Sequence, residues 1–249
     1  MKKYVNLFVF VFMIGACLSQ GRAQTKSAVS YKNPVVDIAM PDPTVIKAAD
    51  GYFYVYATES TRNVPIMKSK DLVEWTYCNT AFTNKTRPRF EPKAGIWAPD
   101  INYINGKYVL YYAMSVWGGE QTCGIGVATA NSPQGPFTDH GKMFRSNEIG
   151  VQNSIDPSLL QYEGRNYLVW GSFRGIYVIE LTADGLSIMS GAKKKRIAGT
   201  AFEAVYIHKH GDYYYMFASI GSCCQGVKST YKVVVGRSKK VWGPYKDKT

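Results

Sequence analysis

Gly51-Tyr-Phe-Tyr-Val-Tyr-Ala-Thr58, Gly106-Lys-Tyr-Val-Leu-Tyr-Tyr-Ala-Met-Ser115, Gly164-Arg-Asn-Tyr-Leu-Val-Trp-Gly-Ser172 and Gly211-Asp-Tyr-Tyr-Tyr-Met-Phe-Ala-Ser219 are four copies of one phrase. Each opens on a turn-forming Gly, runs on in aromatic and β-branched residues and shows no helical spacing, so each predicts a buried strand. Successive copies stand roughly fifty residues apart, the length of a four-stranded propeller blade rather than of a helical solenoid unit.

Working outward from each copy, the other strands of a blade are legible. A short kinked apolar segment precedes each phrase: Asp42-Pro-Thr-Val-Ile46, Ala98-Pro-Asp-Ile101, Asp156-Pro-Ser-Leu-Leu160 and Glu203-Ala-Val-Tyr-Ile207. Third strands are expected at Val64–Ser69, Gly124–Thr129, Gly175–Leu181 and Tyr231–Arg237, and fourth strands after Trp75, Phe137, Ile188 and Tyr245. Four strands per unit, repeated radially, bury neighbouring sheet faces and leave short protected edges. The expectation is an all-β propeller forming one domain.

Aligning the blades on the Gly of the second strand brings acids into register. Asp156 and Glu203 stand eight residues before their Gly, Asp42 nine, and blade two has Ala98 at the eight-before position. The first strand of a blade lines the axial channel, so these carboxylates converge on its mouth, where they must be solvated, hydrogen-bonded, metal-bound or used. One Asp-Pro is ordinary strand punctuation, since Pro fixes its own φ and pushes the preceding residue to extended geometry. Acids at matched depth in three blades have no such explanation. Two chemistries suit them: general acid/base catalysis and a calcium cage.

The segments Met40-Pro-Asp-Pro-Thr-Val45, Gly95-Ile-Trp-Ala-Pro-Asp100, Ser154-Ile-Asp-Pro-Ser158, Phe202-Glu-Ala204, Gly221-Ser-Cys-Cys224 and Ser229-Thr-Tyr231 resemble glycoside hydrolase family 43, and within it the endo-1,5-α-L-arabinanases. The resemblance runs from about Asn33 to Thr249, making residues 31–249 the propeller domain. It implies a five-bladed propeller, with four blades present in this chain, and hydrolysis with inversion. A fifth blade of about fifty residues would follow Thr249 in such a protein, bringing a His that helps hold an axial calcium; a ring left open there is expected to associate through its bare faces, and a closed one to be monomeric. Carried over residue by residue, Asp42 is the general base, Glu203 the general acid, and Asp156 the residue that orients the acid and helps it keep its proton. An inverting glycosidase needs these two roles on opposite sides of the sugar with roughly 6.5–9.5 Å between the carboxyls, and a neighbouring carboxylate favours the protonated acid by repulsion.

Arabinan or an arabino-oligosaccharide is the implied substrate, and the chemistry requires no cofactor. An exo-acting α-L-arabinofuranosidase or β-xylosidase of the same family, or an inactive carbohydrate-binding propeller, are the alternative readings. Sugar faces stack on flat apolar surfaces: Trp97, directly before Ala98, and Trp117, beyond the second strand of blade two, are the candidates, with Asn153 and Ser172 as hydroxyl-binding residues. Cys223-Cys224 has no partner pair or His at zinc spacing; by resemblance it lies on the loop after the second strand of blade four, as a disulfide or as two thiols.

Met1-Lys-Lys3 followed by an apolar run to Ala16 is a secretory signal, too short to span a membrane. Residues 1–23 end in Gly21-Arg-Ala23, an ordinary cleavage site; Ile14-Gly-Ala-Cys17 offers a lipobox instead, which would acylate Cys17. Either route predicts export to the periplasm, outer membrane or medium, with membrane contact only through such an anchor. The 30 Lys and Arg against 18 Asp and Glu give a net charge of +12. Nucleic acid is the obvious polyanion, with Lys193-Lys-Lys-Arg196 as its footprint. Export argues against it, and acidic pectin around arabinan is the better match.

Overall fold

A computed structural model describes residues 30–247. The signal segment and Cys17 lie outside the described residues. The part from Asn33 onward is one compact unit.

Sixteen strands form four separate four-stranded antiparallel sheets, each taken in chain order. Blade one holds β1 (Thr44–Lys47), β2 (Phe53–Tyr56), β3 (Pro65–Ser69) and β4 (Thr76–Thr80). Blade two holds β5 (Gly95–Ile104), β6 (Lys107–Ser115), β7 (Gly124–Ala130) and β8 (Thr138–Arg145), with one helical turn, α1 (Ser146–Ile149), after it. Blade three comprises β9 (Ser158–Tyr162), β10 (Arg165–Trp170), β11 (Ile176–Glu180) and β12 (Lys195–Ala198). Blade four comprises β13 (Glu203–His210), β14 (Tyr213–Ile220), β15 (Lys232–Ser238) and β16 (Lys246–Asp247).

The repeated phrase is the second strand of every blade, and its Gly has a physical reason. Gly51, Gly106, Gly164 and Gly211 all have positive φ, between 56° and 84°, in the turn joining first and second strands. A tight hairpin needs that left-handed backbone, which a Cβ disfavours. β6 and β7 are buried almost throughout because both of their faces are covered by neighbouring blades.

Three apolar clusters fill the three blade junctions. Tyr54, Tyr56, Phe82, Tyr112 and Met114 pack between blades one and two. Tyr111, Ile125, Phe144, Leu168 and Trp170 pack between two and three, and Val169, Ile176, Val205, Ile207 and Met216 between three and four. The first strands touch in sequence, β1 against β5, β5 against β9 and β9 against β13. Their starting ends therefore meet around one axis. Lys195 and Arg196 lie on β12, the outermost strand of blade three, with exposed side chains, as a solvated edge requires.

Candidate active site

Just before or within each first strand the chain kinks. Asp42, Ala98, Asp156 and Ala204 have φ of 50°, 41°, 58° and 52°. That left-handed conformation is uncommon for residues with a Cβ, so its recurrence marks these four as equivalent positions. The alignment on Gly is corrected here by one residue: Glu203 is not the counterpart of Asp156. Ala204 takes that place, and Glu203 stands one residue earlier, as Trp97 does in blade two. The turns cause the slip: Gly106 and Gly164 take the second place of their two-residue hairpin loops, whereas Gly211 takes the first. The β5–β6 register shifts between Trp97 and Asp100, and the β13–β14 register between Glu203 and Tyr206. Each bulge bends its first strand beside the kink.

Despite the slip, the three acids meet. Asp156 is held well above the ordinary carboxylate range, first by burial, then by the charge of Glu203 and then by that of Asp42, with the Ala204 N–H donating to it in opposition. Glu203 is buried and accepts a hydrogen bond of 2.6 Å at Oε2 from the Ser172 hydroxyl. Asp42, which is exposed, accepts one of 2.5 Å at Oδ2 from the Thr58 hydroxyl.

The other sequence-derived residues fall into two groups. Trp97 and Trp117 come together, their ring centres 5.4 Å apart and tilted by 50°. Trp97 is half-buried against Ala113, Cys123 and Ile155, whereas Trp117 is 79% exposed. Asn153 and Ser172 form a chain into Glu203: the Asn153 amide donates to the Ser172 hydroxyl at 2.9 Å and to its carbonyl at 3.1 Å.

Several residues here carry no prior reading. Thr58 bridges blades, accepting the Ala98 N–H at 2.7 Å while donating to Asp42. Tyr231 is pushed well above the ordinary phenol range, first by burial, and it stands beside Ser219 and Glu203. Asp100, buried on β5, accepts from the Asn102 amide and the Leu159 N–H at 2.7 Å each and from the Thr44 hydroxyl at 3.4 Å. A signal for the hydroxyls was present in the sequence: all four copies of the phrase end in Thr or Ser, at Thr58, Ser115, Ser172 and Ser219. Cys223 and Cys224 are joined as a disulfide between neighbours on the β14–β15 loop, which continues into Tyr231. Cys78 and Cys123 are free thiols.

The described residues do not supply a calcium cage. No three of their His, Cys, Asp and Glu groups could together hold a metal ion, and Asp100 has both oxygens occupied by protein donors.

The model of glycosyl hydrolases family 43 matches residues 31–249. The chain is 38% identical to the extracellular endo-α-(1→5)-L-arabinanase 1 of Bacillus subtilis, over 84% of this chain and 68% of that protein. It is 36% identical to the extracellular exo-α-(1→5)-L-arabinofuranosidase ArbA of Cellvibrio japonicus, over 84% of this chain and 66% of the relative. The chain thus spans about two thirds of the length of these relatives. Among solved structures, the α-L-arabinanase of Cellvibrio cellulosa, also solved with arabinohexaose, superposes with a TM-score of 0.75 at 32% identity, covering 85% of this chain and 74% of that one. With its kinked first strands, its four-stranded blades and this match along the whole propeller, the chain belongs to glycosyl hydrolases family 43.

Proposed function

We propose that the protein is an extracellular arabinanase that cleaves α-1,5-linked L-arabinan of pectin by general acid/base catalysis with inversion. The observation that carries this reading is the grouping of Asp156 with both Glu203 and Asp42 at one end of the axis. Glu203 donates its proton to the departing glycosidic oxygen. Asp42, exposed to solvent and held by Thr58, takes a proton from the attacking water on the other face of the sugar. Asp156 repels the charge that Glu203 acquires and receives the Ala204 N–H next to Glu203 in the chain, so it fixes the acid in space. Trp97 and Trp117 offer two mutually tilted apolar surfaces to neighbouring sugar rings.

Relatives named both endo and exo make the mode of attack the finer part of the proposal. The open 79% exposure of Trp117 favours a groove that takes internal segments of a chain. Release of reducing ends from linear arabinan tests the whole reading, with products resolved by size. Mixed oligosaccharides are expected, and Glu203→Gln and Asp42→Asn should each lower turnover by roughly 100-fold to 10,000-fold. Normal turnover in either variant would overturn the assignment, and arabinose as sole product would replace endo with exo action.

A further inference from the structure

The hydroxyls that end the second strands of blades one and three are locked in the same direction. Ser172 is 2% exposed, and its Oγ lies 2.9 Å from the Asn153 amide and 2.6 Å from Glu203 Oε2. The orientation of the Asn153 amide is fixed by its second partner: the Ser172 carbonyl, 3.1 Å away, can only accept, so the NH2 side of the amide must face it. The same NH2 group therefore donates to the Ser172 oxygen. The one hydroxyl proton is left to point at Glu203. Thr58 repeats the arrangement, because the Ala98 N–H also can only donate, at 2.7 Å, and the Thr58 proton is thereby turned onto Asp42 Oδ2. Asn153 has φ of 55°, a conformation that Asn tolerates better than most residues. That kink presents its amide beneath Ser172.

From this polarity we infer that Ser172, oriented by Asn153, and Thr58, oriented by the Ala98 N–H, are positioning residues that assign the two protons of the reaction: Ser172 keeps Glu203 Oε2 an acceptor so that the acid's transferable proton sits on Oε1, and Thr58 keeps Asp42 Oδ2 an acceptor so that Oδ1 receives the proton from water. The inference rests on the proposed acid/base reading and gives Asn153 and Ser172 a role other than holding sugar hydroxyls. No atom is gained or lost in the step it describes; the hydroxyls direct protons that pass between the carboxyls, the water and the leaving oxygen. The ionisable groups facing Glu203 are Asp156 from the turn before β9 and Tyr231 from the loop before β15. Asp42 faces Asp156 across the mouth. Arg174, two residues beyond Ser172, is turned away, its guanidinium 3.0 Å from Glu120.

Each hydroxyl donates to a group whose ionised form it favours, so removing it moves one limb of the pH profile and not the other. Ser172→Ala should shift the basic limb of kcat/KM on linear arabinan upward by about one pH unit, leaving the acidic limb in place. Thr58→Val should shift the acidic limb upward by a similar amount, leaving the basic limb. In both, kcat should fall by roughly 10-fold to 100-fold through misplacement of the carboxyl, with KM nearly unchanged, and Thr58→Ser should restore the parent profile. Should Ser172→Ala fail to fold, Asn153→Ala, which frees the hydroxyl to rotate, should move the same basic limb by less. If Glu203→Gln is inactive while Ser172→Ala raises KM and leaves both limbs where they were, the hydroxyl is a sugar ligand and this inference is wrong, with the acid assignment intact. If Glu203→Gln itself turns over normally, the underlying reading has failed.

Discussion

Asp100 holds together strands from three blades, with Thr44 of β1, Asn102 of its own β5 and Leu159 of β9 all donating to it. Burial raises its pKa from 3.8 to about 6, against the lowering effect of those three donors. A carboxyl with a folded value above its unfolded one stabilises the fold only while protonated. Its contribution is therefore complete below about 3.8 and lost as pH rises through about 6, a change of about 3 kcal/mol. Asp100→Asn keeps the shape without the charge, so melting temperatures measured between about pH 4 and 7 should slope downward in the parent and flatten in the variant; equal slopes would contradict this role. At the same scale, Trp97→Ala should raise KM for arabinan more than it lowers kcat, since its ring contributes surface and not protons. Little in the sequence marked Asp100, because a buried acid among first-strand residues is distinguished only by partners from other blades. Asp42, Asp156 and Glu203 stood out in the sequence because they recur at nearly the same phase, and Thr58 and Ser172 were visible as phrase endings whose partners lie far away in the chain.

The geometry of the turns between first and second strands accounts for both the success and the error of reading elements from sequence. The second strands fell where the phrase places them, since aromatic runs after Gly have one good solution in a sheet. Counting back from Gly failed by one residue for Glu203, because Gly211 takes the first place of its two-residue turn where Gly164 takes the second. The effect is chemical as well as geometric. Ala204 occupies the kink, where its N–H reaches Asp156, and Glu203 pairs across to Ser172. The strained backbone is itself testable at Ala98, with φ of 41°. A β-branched residue fits that conformation worst, so Ala98→Val should destabilise the fold by roughly 1–2 kcal/mol or more in denaturant titration, while Ala98→Gly should be neutral or slightly stabilising. Equal stability of the Val variant would show that the kink relaxes freely.

Across the whole molecule, blades bury one another's faces in sequence, yet the outward face of blade four keeps an apolar row. Tyr206, Phe217 and Val235 are cross-strand neighbours with exposures of 51%, 37% and 41%, and Val233 beside them reaches 63%. A contiguous apolar sheet face of this kind promotes association. Light scattering should show mass rising with protein concentration, and Phe217→Ser with Val235→Thr should reduce that rise; a parent protein that stays monomeric at every concentration would contradict it. The four blades were legible from the repeat alone, whereas the residues that make up this face were not, because the same alternation describes a covered sheet and an uncovered one. The central claim is that carboxyls from separate blades act on opposite faces of one sugar linkage. Proton NMR of the first product formed from linear arabino-oligosaccharides tests it most directly: the account predicts the β anomer of the newly released reducing end, and an α anomer appearing first would contradict it.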